Sequence, residues 1–254
     1  VAFFVDHAVR VRQKALLSAR SVPYVPKPAP ARDRLLLAFV LLMSAAMLAV
    51  IGMAVFGSFV KVWPYNLSFT LNHYTYGFEE AGVENAYRNS LTMAAWCAVV
   101  GALLTFAGAY WLEKTRGADL VRPIVRLQAM LPMAIPGLVL GIGYILFFNH
   151  PANPLNVLYG TMGILVLSTI VHFYSSSHLT AVTALKQLDN EFESVSASLK
   201  VPFYKTFWRV TVPVCLPSII DISRYYFVNA MTTISAVVFL YSPKTMLAAI
   251  SIVQ

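Results

Sequence analysis

Polar and apolar positions along this chain separate by whole segments. Apolar runs extend over Leu35–Val60, Asn89–Leu112, Leu127–Asn149, Leu155–Leu185 and Pro213–Tyr241, and only the last contains fixed charges, Asp221 and Arg224. At about 1.5 Å per helical residue each run can cross a hydrocarbon core of about 30 Å. The pattern predicts five membrane helices, over 35–60, 89–112, 127–149, 160–185 and 213–241. The intervening 61–88 stretch is polar and aromatic, with Trp63, Tyr65, Tyr74 and Tyr76 suited to a membrane interface. Its acidic residues Glu79, Glu80 and Glu84 read as solvated.

One later stretch breaks the apolar pattern. Lys186–Pro217 is charged and helix-coded, with apolar runs on both sides. Asn190 with Glu193 three residues on reads as a capping box. Phe192, Val195 and Leu199 then share a face, and Pro202 stops the helix. Phe203, Phe207 and Val210 return at helical spacing with Lys205 and Arg209 between them. This predicts a short amphipathic helix–turn–helix over 186–212, either docking a soluble partner or lying on lipid.

Composition sets the class. The chain has 254 residues, 58% of them hydrophobic and 12% charged, with mean hydropathy +0.67. Charge is too scarce for a water-soluble surface, so this is an integral membrane protein, and its spans are helical because each must satisfy its own backbone. Cys97 and Cys215 lie in or beside apolar runs and suggest neither disulfides nor a metal cluster.

The net charge of +8 is a matter of topology. Arg10, Arg12, Lys14, Arg20, Lys27, Arg32 and Arg34 precede the first full span. Lys114, Arg116, Arg122 and Arg126 follow the second, and Lys186, Lys200, Lys205 and Arg209 follow the fourth. These groups share one side, and the other side holds only Lys61, Arg88 and Lys244. The basic side faces the cytoplasm, and nucleic acid is not needed as a partner. Residues 1–34 read as the end of a preceding span and a Pro-rich basic linker (SVPYVPKPAP); 35–254 form the membrane domain. Ser242–Gln254 reads as the approach to a further, missing helix.

Within the spans, Pro132, Pro136, Gly137, Gly141 and Gly143 interrupt the third, either lining a cavity or packing through a GxxxG. Asp221 and Arg224 are three apart and form an intramembrane ion pair or snorkel to the interface. Asn229, Thr232, Thr233 and Ser235 make a polar stripe that lines a pathway or bonds back to its own helix. His172 and His178 fall on opposite faces and do not share a metal. No GxxxxGK[ST] loop is present, so any ATP hydrolysis belongs to another chain.

The 186–217 stretch resembles the cytoplasmic loop of permease subunits of bacterial ATP-binding-cassette (ABC) importers. The resemblance rests on Leu188–Asp189, Glu191, Glu193, Leu199, Phe207, Val210, Pro213 and Pro217. With Leu199 aligned, the family's Glu-Ala-Ala falls on Ser194, Val195 and Ser196, and its Gly falls on Lys200. The resemblance implies an all-α integral membrane protein, a polytopic helical bundle of the MetI-like type in the bacterial inner membrane. It implies a cytoplasmic ABC ATPase dimer, a periplasmic solute-binding protein and a second permease domain, fused or separate, as partners. ATP would be used by the partner subunit, with no cofactor bound here and no enzyme activity in this chain. Phe192, Val195, Leu199, Phe203 and Phe207 would dock the ATPase, rimmed by Glu191, Glu193, Lys200 and Lys205. The Pro132–Pro136–Gly137 pattern resembles the iron, phosphonate, sulfate and polyamine subgroup. The run Phe227–Pro243 and the linker look most like 2-aminoethylphosphonate permeases, the second half of a fused pair, with ferric-iron permeases as the alternative. An ion-coupled secondary carrier using Asp221 and Arg224, or a purely structural subunit, are the readings from other classes.

Overall fold

The computed structural model describes residues 29–79, 83–114, 121–188 and 191–253, with the side chains of 77–79 and 191 left aside. Most of the Pro-rich linker, residues 115–120, Asp189 and the expected cap Asn190 lie outside these residues. The chain divides into two compact units, Ala19–Glu84 and a larger one that includes Asn85–Gln254.

The smaller unit is organised by α1 (Pro30–Ser58). Proline at its start needs no backbone partner, and the Asp33 carboxylate accepts from the Ala29 N–H at 3.1 Å. None of its 29 residues is buried, as suits a helix apolar on every side in a lipid solvent. Beyond it β1 (Val60–Val62) pairs antiparallel with β2 (Asn66–Phe69). α2 (Asn72–Glu79) then folds back, with His73 Nε2 2.9 Å from the Val60 carbonyl and Tyr74 Oη 2.7 Å from Ser58 Oγ.

In the larger unit, α3 (Val83–Trp96), a π-helical turn (Cys97–Gly101) and α4 (Ala102–Lys114) make one rod. α5 (Arg122–Ala134) and α6 (Gly137–Phe148) follow, then α7 (Met162–Gln187) and the short helices α8 (Glu191–Ser198) and α9 (Phe203–Thr206). A second π turn (Phe207–Thr211), α10 (Val212–Val214) and α11 (Leu216–Thr232) lead to α12 (Ala248–Ser251). The core sits where α4, α5 and α11 pack on α7, around Ile164, Leu165, Ala181 and Leu185. Five polar residues of α7 face inward: Ser168, Thr169, Ser175, Ser177 and His178 are buried.

The π turn has a structural partner. The Ala98 carbonyl within it accepts from Ser223 Oγ of α11 at 3.0 Å as well as from the Ala102 N–H. Gly101 lets the Tyr226 ring approach so closely that a β-carbon there would lie 2.9 Å from it. Tyr226 is fully buried and its hydroxyl meets Thr105 Oγ1 at 2.9 Å.

Two expected spans take a different form. The third is two helices bent by 111° at Ile135–Pro136, because both residues are extended and prolines cannot continue the ladder. The fifth ends as a helix at Thr232, not Tyr241. Thr233 is extended, and the following turn is held by the Ser168 hydroxyl donating to the Ala236 carbonyl at 2.7 Å. Among the described residues two helices, α1 and the α3–α4 rod, are long and apolar enough to cross a membrane alone, or three crossings if the bent pair is one. The C-terminal stretch packs back: Asn89 Nδ2 donates to the carbonyls of Lys244 and Met246, and Ser90 Oγ accepts from the Ala248 N–H.

Candidate functional site

The helix–turn–helix forms a hook beyond α7. α8 ends in two reverse-turn bonds, Lys200 N–H to the Ala197 carbonyl (3.1 Å) and Val201 N–H to the Ser196 carbonyl (2.9 Å). That pairing is a Schellman cap, and it puts Lys200 at φ 53°. Lys200 occupies the position where the resemblance places Gly, so the left-handed backbone is kept although the residue that favours it is not. Pro202 then caps α9 with φ fixed near its native −60°, and the Ser196 and Thr206 hydroxyls bond the two legs together.

The hook is tied to the bundle at two points. Lys114, the last residue of α4, has a side chain only 3% exposed; its Nζ donates to the Leu188 carbonyl at 3.1 Å and lies 3.5 Å from Glu193 Oε2. Phe207 turns inward, with its ring 4.7 Å from Tyr110 and 6.1 Å from Phe106. Next to Lys114, Glu113 holds Arg126 of α5 at 3.0 Å. A cavity of about 310 Å³ lies between hook and α4, lined by Tyr110, Lys114, Glu193, Ser196 and Phe203.

These attachments sort the expected docking residues. Phe192, Val195, Leu199 and Phe203 stay outward, at 48, 56, 70 and 70% exposure. Phe207 and Glu193 face the chain's own α4, because helical spacing defines a face without saying what that face meets. Lys200 and Lys205 are exposed. The backbone of Glu191 opens α8, and its side chain lies outside the described set. Lys114 and Tyr110 carried no sequence signal beyond the charge that marks a span end.

At the bend, Ser175 of α7 enters the α5 ladder. Its hydroxyl donates to the Ala129 carbonyl (2.7 Å) and accepts from the Met133 N–H (3.2 Å), beside Pro132. Pro136 caps α6, and Gly137 sits so close to the end of α11 that a β-carbon there would lie 2.5 Å from Ser235 Oγ and 3.1 Å from His172 Cε1. Gly141 likewise meets Phe239. The glycines therefore pack the bend against the Thr233–Tyr241 turn. Asn229 and Thr232 bond back to the carbonyls of Tyr225 and Val228, and Thr233 is buried. Asp221 and Arg224 pair at 3.2 Å with both side chains exposed. His172 packs on Phe173 and His178 on Tyr174, so the two rings have separate surroundings.

Comparison with known proteins places this geometry. The chain is 31% identical over 203 residues to the ferric transport system permease protein FbpB of Actinobacillus pleuropneumoniae, covering 79% of this chain and 29% of that protein. It is 29% identical over 201 residues to the putative ferric transport system permease protein FbpB 1 of Haemophilus influenzae, covering 78% and 31%. The chain thus spans about three tenths of the length of these relatives. Its fold is similar to that of a bacterial ABC transporter involved in the import of the acidic polysaccharide alginate, with TM-score 0.65, 13% identity and coverage of 89% of this chain and 81% of the other. Residues 115–254, more than half the chain, match the family described as "Binding-protein-dependent transport system inner membrane component". The chain is a member of that family of multi-pass, all-helical inner-membrane proteins.

Proposed function

We propose that this chain forms part of the translocation pathway of a bacterial ABC importer, with ferric iron as the transported substrate. The carrying observation is the hook: a small outward apolar face, Phe192, Val195, Leu199 and Phe203, on a support fastened to α4 by Lys114 and Phe207. An ATPase dimer on the cytoplasmic side grips this face. A second permease domain closes the other side of the pathway, and a periplasmic binding protein delivers the solute. In this reading the chain crosses the membrane five times, with residues 186–212 in the cytoplasm, as the sorting of Lys and Arg supports.

The mechanism follows from the attachments. ATPase closure displaces α8 and α9; the Lys114–Glu193 pair and the Phe207–Tyr110 contact pass the displacement to α4, and the short α10 passes it to α11. The bend at Pro136 and the turn after Thr232, which touch at Gly137 and Ser235, then shift together and change which side is open. The ferric reading takes precedence over 2-aminoethylphosphonate because the relatives given above bear ferric names.

The test is Leu199→Asp in the full transporter. Uptake of radiolabelled ferric iron and coupled ATP hydrolysis should both be lost while the protein remains in the membrane. Unchanged uptake would remove the docking role. Uptake that persists without ATP would favour an ion-coupled carrier, and growth dependent on this chain with 2-aminoethylphosphonate as phosphorus source would restore that substrate.

A further inference from the structure

Beside the apolar docking face, the turn and second leg of the hook carry a basic groove that includes the expected rim residues Lys200 and Lys205. Lys200, Lys205 and Arg209 line an open groove of about 480 Å³, floored by Pro202, Thr206 and Val210. Lys205 and Arg209 are four residues apart on one helical face, and the Schellman turn brings Lys200 across from them. The hook's described carboxylate, Glu193, is already engaged by Lys114 on the other side. Three cations thus converge without a described acidic partner on this leg.

Their setting selects the anion. Tyr204 and Trp208, on the same leg, are 52 and 60% exposed; aromatic rings with a polar edge concentrate at the headgroup level of a bilayer. Arg209 precedes the apolar α11 at Leu216 by seven residues, about 10 Å of helical rise. With α11 crossing the membrane and the hook on the cytoplasmic side as proposed above, the groove falls near the lipid phosphates, and the anionic cytoplasmic leaflet attracts Lys and Arg placed there. A hydrophilic protein surface would not call for two exposed rings flanking the cations.

We infer that Lys200, Lys205 and Arg209 form a binding site for the phosphate headgroup of an anionic phospholipid, with Tyr204 and Trp208 seated beside its acyl chains. This rests on the placement of the hook at the cytoplasmic membrane surface. The hook then divides its work: α8 and Phe203 present the apolar face to the ATPase, and the rest of the second leg, Tyr204–Thr211, is held to the leaflet.

The experiment is native mass spectrometry of the detergent-purified full transporter titrated with phosphatidylglycerol or with phosphatidylcholine of the same chains. Phosphatidylglycerol should bind about tenfold tighter or more. The triple variant K200Q/K205Q/R209Q should lose that preference, and the charge-conserving K200R/K205R/R209K should keep it. Equal binding of the two lipids, or a preference surviving in the glutamine variant, overturns the site. So does displacement by inorganic phosphate, which would make it a free-phosphate site. Loss of ATPase copurification in the glutamine variant with lipid preference intact would assign the cations to the ATPase instead. Labelling of Ser194→Cys in membrane vesicles separates the two readings. Labelling only from the periplasmic side overturns the function and the lipid site together, whereas cytoplasmic labelling without lipid preference overturns the lipid site alone.

Discussion

Lys114 Nζ and Glu193 Oε2 lie 3.5 Å apart, joining the last residue of a membrane rod to the first turns of the hook. The lysine side chain is nearly enclosed, whereas the glutamate keeps about a fifth of its surface in solvent. Removing the cation strands the Leu188 carbonyl as well as the carboxylate; removing the acid leaves the carbonyl contact in place. Lys114→Met should therefore destabilise the hook by roughly 1–3 kcal/mol, and Glu193→Gln by less. Limited proteolysis between residues 186 and 209 reads the difference, and equal cleavage of wild type and Lys114→Met would refute the tether.

Lys200 holds a left-handed backbone that costs an L-residue about 1 kcal/mol. Lys200→Gly should raise the melting temperature of the purified protein, by roughly 0.5–1 kcal/mol of stability. Lys200→Val, branched at Cβ, should lower it. A destabilised glycine variant would mean that the lysine side chain matters more than its backbone.

A β-carbon on Gly137 would lie 2.5 Å from Ser235 Oγ, where the bend meets the turn after α11. Gly137→Ala should cost about 1–3 kcal/mol through overpacking. Adding Ser235→Gly should recover part of the loss, the remainder coming from His172, which also faces the new methyl. Strict additivity of the two changes in thermal stability would show that the packing is not as described.

Ser175 bridges a carbonyl and an N–H that a regular helix would pair directly. Ser175→Ala removes one partner from each group beside Pro132, at a cost of about 1–3 kcal/mol. Hydrogen exchange at the Met133 amide should rise in this variant, and an unchanged rate would show that the helix closes its own gap.

Much of this was visible beforehand, for identifiable reasons. The break at Pro132–Pro136 follows from ring chemistry alone, and α1 reads as lipid-facing because it is apolar all round. The fold class followed from the scarcity of charge. Three things were hidden. Residues 213–241 look like one span because apolarity persists past Thr232, while the turn is imposed by Ser168 from another helix. Phe207 shares helical spacing with Phe203, yet one points at Tyr110 and the other at solvent. Ser175 is one of three consecutive serines, and only its contact with the α5 backbone distinguishes it. In each case the deciding partner is distant in sequence.

The wide turn at Cys97–Gly101 has a consequence for which length changes this protein tolerates. A π turn accommodates one residue more than an α-helix in the same rise, so the flanking segments keep their facing. Shortening the chain by one residue there would heal the helix and leave Lys114 aimed at Leu188. The same deletion elsewhere in the rod would swing everything downstream by about 100° and carry the lysine away from the hook. The turn is the place where one residue can be gained or lost without carrying Lys114 away from Leu188 and Glu193.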